Sequence, residues 1–563
     1  MANSVYGLLQ ESIQKRGNSP AIRYKASGTW RELSWEQLGQ KVNQVASKLI
    51  ELGIEPGDRV VILSKTRLEW VLADLGIMAV GACAVPIYQS NIAKDAAYIY
   101  ANSGAKLAIV EDDEQAAKIP KAQLLSIGDI FSNKINSSEI ENRAGALKPS
   151  DIATIIYTSG TTGEAKGACL THDNFLYEAQ AIEKIGLISS DDIQLLFLPL
   201  AHVFARVMEI AWLKTAHVLC FAESIEKAVE NMKEVKPTFM AAVPRIYEKV
   251  YARILAKARS GGTVKKWISN WALGLQQHPR GIRWEVAKRL IFSKIGKGLN
   301  ETFGGELRFF ISGGAPLNPE IAHFFDHAGV TILEGYGLTE TTAATCVNLP
   351  GQNRIGTVGK PLPGMELKIA EDGEIWVRGR GVFQGYWDRP EQTAEVLSTD
   401  GWFKTGDIGV IESGGLLRIT DRKKDLIVTA GGKKIAPQKL ENLAKSKTSM
   451  ISQVIVSGDQ KNYLVALITL DEQGVKDFAK RQKVKGSYGQ LTQNEAVKKK
   501  IATAIESLNK GLPSFEQLKK FKILDHDFVV GDQLTPTLKV KRTYCIQKYA
   551  SEIESLYQPQ SPA

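Results

Sequence analysis

Between residues 34 and 53 the apolar side chains return every three or four positions: Leu38, Val42, Val45 and Leu49 are spaced by four, three and four. That period belongs to one buried face of a helix. Ser34 and Gln37 stand three apart at its start and predict a capping box, and Gly53 marks its end. The following stretches switch period. GDRVVIL (57–63) reads as a buried strand, TRLEWVLADLGIMAVG as a second helix and CAVPIY as a second strand, an alternation that predicts parallel strands layered with helices. The same pattern runs to about residue 345. From 346 short strands and turns take over, as in NRIGTVGKPLPGMELKIAEDGEIWVRGRGVFQGYW, and predict a small β-rich module. A charged segment, TDRKKD (420–425), marks a domain boundary, after which strands and helices alternate again and SQVIVSGDQKNYLVALITL is a hairpin candidate.

Composition narrows the class without naming it. A chain of 563 residues is too long for one simple core and predicts two or more domains. The formal charge is +10, but 71 basic residues stand against 61 acidic ones, so the excess is spread over a large surface. Small polyanions or an anionic membrane surface suit that balance, and nucleic acid is not called for. The five cysteines (Cys83, Cys169, Cys220, Cys346, Cys545) are scattered with no C-x-x-C pair, which argues against a disulfide framework or zinc site and fits a reducing compartment. No secretory signal is visible at the N-terminus. The longest apolar run, LGIMAVGACAVPIY (75–88), falls short of the ~20 residues a spanning helix needs and reads as core. The region 250–300, with Trp267, Trp271, Trp284 and many basic residues, predicts an amphipathic core or surface helix, with a contact to membrane lipid as the alternative.

The densest candidate chemistry lies in YTSGTTGEAKG (157–167), where glycines, hydroxyls and one lysine follow the strand-forming DIATIIY, which would deliver the loop at a sheet edge. Successive backbone N–H groups of such a turn can converge on an anion, with the lysine adding charge. A surface turn is the alternative. The nucleoside-triphosphatase P-loop does not fit: counted from Gly160, its second glycine is Ala165, and Gly167 stands where a magnesium-binding Ser or Thr is needed.

Taken in order with GYGLTE (335–340), TGD (405–407), DRKKD (421–425) and LTPTLKVKR near the C-terminus, this loop resembles those of the adenylate-forming enzymes. That superfamily holds acyl- and aryl-CoA synthetases, luciferases and the adenylation domains of peptide synthetases. The resemblance covers nearly the whole chain, and LPLAHVFAR (198–206), VPRIYEKVY (243–251) and GGKKIAPQKLEN (431–442) are most similar to long-chain fatty acyl-CoA synthetases.

The resemblance implies an α/β fold. A large N-terminal adenylation domain (1–420) would consist of layered α/β subdomains plus a small β-barrel-like module at about 346–420. A hinge (421–425) would join it to a small mobile α+β lid domain (426–563). It implies a long-chain fatty acid:CoA ligase that uses ATP, Mg²⁺ and coenzyme A, forming first an acyl-adenylate and pyrophosphate, then acyl-CoA and AMP. An acyl carrier protein as acceptor, an aryl or medium-chain acid as substrate, or a non-catalytic lipid-binding relative stay open. So do the oligomeric state and a peripheral contact with the inner membrane surface from a cytoplasmic location. An amino-acid adenylation module is disfavoured because LPLAHVFAR lacks an Asp for a substrate amine.

Residue roles follow by the same resemblance. Thr158, Ser159, Gly160, Thr161, Thr162 and Gly163 would cradle the β- and γ-phosphates with Lys166 closing the loop, and Glu340 would hold Mg²⁺. Gly313, Gly314 and Ala315 of SGGAP, with Gly335, Tyr336, Gly337 and Thr339, would form the adenine site. Asp407 would accept the ribose hydroxyls and Arg422 would reach the ribose or phosphate. Lys539 would be the catalytic lysine, Lys424 the pivot, and Gly431 and Gly432 part of the CoA site. His202 would line the acyl pocket or be a core histidine, and Lys541 and Arg542 are expected on a solvated basic face.

Overall fold

The computed structural model describes residues 2–158, 164–260, 281–535 and 538–558, with 256–260 by backbone only. The first predicted helix is Trp35–Glu51, with both halves of the Ser34/Gln37 capping box made and Leu38, Val42, Val45 and Leu49 fully buried. The strands Arg59–Leu63 and Cys83–Ile87 pair in parallel around the helix Leu68–Ala79, as the alternation predicts.

Two large sheets carry the N-terminal part. One has seven strands in the order Gly385–Tyr386, Lys166–Thr171, Ile152–Thr158, Cys83–Ile87, Arg59–Leu63, Leu107–Val110, Leu124–Ser126. Ile152–Thr158 is therefore internal, not at the sheet edge expected for it, because the chain returns at once as the antiparallel strand Lys166–Thr171, itself covered by Gly385–Tyr386. The other sheet has nine strands, with a parallel centre that includes Ile193–Leu196, Phe239–Ala242, Phe309–Ser312 and Ile332–Tyr336. His202, Gly313 and Glu340 all lie beyond the carboxyl ends of such strands, where open α/β sheets bind ligands.

The β-rich texture after 346 resolves into a four-stranded antiparallel sheet of Met365–Ile369, Glu374–Gly379, Phe403–Glu412 and Leu416–Arg422. The short strand Lys360–Pro361 touches both of its edge strands, which curls the module towards a barrel. Trp284 turns inward, its ring 5.4 Å from that of Phe292; Trp267 and Trp271 lie outside the described residues.

The buried apolar clusters separate along the chain: four contain no residue beyond Leu417, and two begin at or after Ile427. The hairpin Ile451–Ser457/Leu464–Leu470 and the strand Leu518–Ile523 form the small domain's sheet. Val456, Ala466 and Ile468 bury into a cluster on one face, and Ile455, Val465 and Leu467 into a cluster on the other. LVALITL is unbroken because both faces of its strand are covered. The small domain docks on the large one through Arg245 Nη2 to Ser452 Oγ at 3.3 Å and Asn318 Nδ2 to the Asn442 carbonyl at 3.2 Å. Lys445 and Lys447 add longer ion pairs to Glu248 and Glu320, at 3.9 and 3.8 Å. Arg542 is not on a solvated face. It donates to Glu441 and, at 3.0 Å, to the Val456 carbonyl, while Lys541 Nζ donates to the Gly531 carbonyl at 3.3 Å.

Candidate active site

Antiparallel pairing sets Thr158 opposite Lys166, and Thr158 Oγ1 donates to the Lys166 carbonyl at 3.4 Å. The lysine therefore stands at the foot of the loop. Ser159, Gly160, Thr161, Thr162 and Gly163 lie outside the described residues. Lys166 Nζ lies 5.1 Å from the centre of the Tyr386 ring, a cation–π contact.

Gly313, Gly314 and Ala315 follow the strand Phe309–Ser312, and Gly335 and Tyr336 end the neighbouring parallel strand. Gly314 has φ +83°, a backbone that favours glycine. Gly337 is required for another reason: a Cβ there would stand 1.5 Å from the Ala343 carbonyl oxygen, so only glycine lets the chain fold back after the strand. That fold-back forms the 3₁₀ turn Thr339–Thr341, which holds Glu340. Phe383 N donates to the Glu340 carbonyl at 2.8 Å, and Tyr386 Oη donates to Glu340 Oε1 at 2.8 Å.

Asp407 is buried on the strand Phe403–Glu412. Its Oδ2 accepts the Tyr336 hydroxyl at 2.7 Å and its Oδ1 lies 3.0 Å from Arg422 Nε. Burial, and then the Asp407 charge, hold the Tyr336 phenol protonated well above its ordinary range, so it is the donor.

Lys539 enters from the small domain. Thr535 N donates to the Lys539 carbonyl at 2.8 Å and Lys539 N to Thr535 Oγ1 at 3.1 Å, which ties the lysine's backbone to Thr535. Leu538 has φ +63°, a strain of order 1 kcal/mol held beside the candidate catalytic residue. The Lys539 side chain is solvent-accessible yet walled in by the cleft. That enclosure and then the Arg422 charge lower its pKa to about 8, against the opposing pull of Asp407 and Glu340. It also faces His202, whose pKa is lowered to about 3 by burial and then by the Lys539 charge. His202 caps the helix Val203–Thr215, its Nδ1 accepting from Phe204 N at 3.1 Å, so in this structure it is a neutral capping histidine at the cleft wall.

The structure thus brings together Lys166, Tyr336, Glu340, Asp407, Arg422 and Lys539. Lys424 sits exposed in the 3₁₀ turn Lys423–Asp425. Gly431 and Gly432 are exposed in the small domain, where Gly432 N donates to the Thr429 carbonyl at 2.8 Å and the preceding Ala430 N to the Lys461 carbonyl at 3.0 Å. Tyr386 was not anticipated. Its only sequence signal is an aromatic pair in VFQGYW, 46 positions from Glu340, a separation no local period connects. Among the described residues no three His, Cys, Asp or Glu form a metal cluster.

A profile described as AMP-binding enzyme matches residues 9–387, and one described as AMP-binding enzyme C-terminal domain matches 424–561. The chain belongs to the AMP-binding enzyme family. Among curated members of this family, it is 37% identical to long-chain-fatty-acid–CoA ligase FadD15 of Mycobacterium bovis, over 94% of this chain and 93% of that protein. It is 32% identical to human long-chain-fatty-acid–CoA ligase 1, over 98% of this chain and 86% of that protein. The fold matches O-succinylbenzoate coenzyme A synthetase of Bacillus subtilis in complex with AMP, with TM-score 0.73 at 20% identity, covering 96% of this chain and 98% of that one. It also matches the adenylation domain of a Mycobacterium chelonae carboxylate reductase, with TM-score 0.76 at 21% identity, covering 98% of this chain and 91% of that one. This member of the family is an ATP-using enzyme, and no helix among its described residues is long and apolar enough to cross a membrane.

Proposed function

We propose that this enzyme is a long-chain fatty acid:CoA ligase. It joins a fatty acid to ATP, giving acyl-adenylate and pyrophosphate, and then transfers the acyl group to coenzyme A, releasing AMP. A carboxylate cannot react directly with a thiol because its leaving group would be oxide; adenylation replaces that leaving group with AMP. The observation that supports this best is the meeting of Lys539, from the small domain, with Glu340, Asp407 and Arg422 of the large one. Charge moves from carboxylate to phosphate in the first step, and a fixed ammonium beside it lowers that barrier without covalent chemistry. Asp407, held by Tyr336 and Arg422, presents an acceptor for a ribose diol, and Gly314, whose missing Cβ would meet only Val243 Cγ1 at 3.9 Å, leaves space for a base edge.

The donor set at Glu340 suits Mg²⁺. One carboxylate with the hydroxyl residue Thr339 next to it in the same turn is a hard-oxygen environment, and Mg²⁺ takes one or two carboxylates plus phosphate oxygens and water. When bound there it would neutralise polyphosphate charge, and Glu340 would orient it. His202 and the start of its helix would border the acyl end of the site, and Gly431 and Gly432 would meet CoA after the small domain turns about Lys424. The five thiols, all buried and free, suit a reducing cytoplasm, with peripheral contact at the inner membrane surface where long-chain acids partition.

The test is AMP formation with CoA across acids from acetate to stearate, aromatic acids included. Activity should peak among long-chain acids and require CoA. A preference for an aromatic acid, or turnover only with an acyl carrier protein, would replace the proposal.

A further inference from the structure

We propose that Tyr386 is a positioning residue of the nucleotide site: one ring sets both the cation at the foot of the phosphate loop and the carboxylate across from it. The face of the ring lies on Lys166 Nζ at 5.1 Å and its hydroxyl donates to Glu340 Oε1 at 2.8 Å.

The backbone explains the arrangement. Gly385–Tyr386 pairs antiparallel with Lys166–Thr171, and Tyr386 stands opposite Ala168. Side chains two apart on a strand share a face, so the tyrosine ring is the diagonal neighbour of Lys166. Three residues earlier, Phe383 N holds the Glu340 carbonyl at 2.8 Å, so the same short segment grips the Glu340 turn by main chain and side chain. The ring's place does not depend on its hydroxyl. Tyr386 N donates to Thr393 Oγ1 at 2.9 Å, and the Phe383 ring packs edge to face against it at 4.9 Å. An O–H bond to a carboxylate is a strong, directional contact, and it holds one Glu340 oxygen while leaving the other free to face a ligand. Tyr386 would therefore tune how much Mg²⁺ adds to ATP affinity.

The inference rests on the roles proposed above for Lys166 and Glu340, and the test separates the two. Binding of AMP, of ATP without metal, and of ATP with Mg²⁺ is measured by calorimetry on the full chain, without fatty acid so that nothing turns over. Tyr386→Phe should bind AMP and metal-free ATP as the parent does, while the gain in ATP affinity from Mg²⁺ falls at least threefold. Tyr386→Leu, which also removes the ring face, should further weaken metal-free ATP about threefold with AMP unchanged. Glu340→Gln is the control and should lose most of the Mg²⁺ gain. If Glu340→Gln loses it and Tyr386→Phe keeps it, the positioning role is wrong and the metal site stands. If Glu340→Gln keeps it too, the metal site itself is wrong. If Tyr386→Phe weakens AMP along with ATP, the residue is merely structural and the inference fails.

Discussion

Arg422 faces Asp407 across two adjacent antiparallel strands, Nε to Oδ1 at 3.0 Å, in the last residue pair before the chain leaves the large domain. The ion pair therefore joins the nucleotide cleft to the start of the hinge. Asp407 takes a second contact from Tyr336, so its carboxylate is pinned on both oxygens.

Replacing Asp407 by Ala would leave Tyr336 without its acceptor and Arg422 without its counter-charge, and would remove the proposed acceptor for the ribose. Hydrogen bonds to a charged group are worth roughly 1.5–3 kcal/mol each, so AMP affinity should fall about tenfold or more. Calorimetric titration with AMP measures this directly, and an affinity within twofold of the parent would remove Asp407 from the site.

Lys539→Ala should lower adenylation by ~10²-fold or more, the range for removing a preorganised charge-stabilising group. Thioester formation from supplied acyl-adenylate should be largely kept. Equal losses in the two half-reactions would count against the lysine's role.

The lowered pKa of Lys539 also sets a pH limb. The ammonium is the working form, so adenylation should be flat below its pKa of about 8 and decline as pH rises through it. The thioester half-reaction should not follow that decline. Lys539→Arg, which stays charged, should flatten the alkaline limb in whatever activity it retains; a limb that persists unchanged there belongs to another group.

His172 gives a separate prediction about stability. It is fully buried, its Nδ1 accepts from Val5 N at 3.3 Å, and burial lowers its pKa to about 4, with Asp151 opposing weakly. The folded pKa lies below the unfolded value of ~6.5, so the unfolded chain binds the proton more tightly. The stability is whole above ~6.5 and is lost as pH falls from there towards the folded pKa, roughly 2 kcal/mol of it by pH 5. Urea unfolding at pH 7 and pH 5 should show a larger drop in the parent than in His172→Gln, with hydrogen exchange rising first in the helix Val5–Arg16.

Lys424→Pro tests rotation of the small domain. Proline fixes φ near −65°, a value that the 3₁₀ turn Lys423–Asp425 accepts, so it should lock the orientation seen here, with Lys539 in the cleft. Pyrophosphate release in a single turnover should survive while acyl-CoA formation falls steeply. Parallel assays decide: a plain linker would lose neither, and a folding defect would lose both.

Local pattern was enough for much of this protein. Leu38, Val42, Val45 and Leu49 declared a helix and its buried face, and the runs at 57–63 and 83–88 declared parallel strands, because helix period and strand burial are properties of neighbouring residues. The order of the motifs also carried the family, since each glycine or charge answers a constraint within its own turn, as Gly337 does against Ala343. Tertiary structure alone decided the rest. The covering of Lys166–Thr171 depends on a partner strand at Gly385–Tyr386, more than two hundred residues on, and the pairing of Arg542 on Glu441, a hundred residues away. The meeting of Lys539 with Glu340, and of Tyr386 with both Glu340 and Lys166, arises from how domains and distant strands pack. Such contacts join residues that share no local period, so no window along the chain contains them.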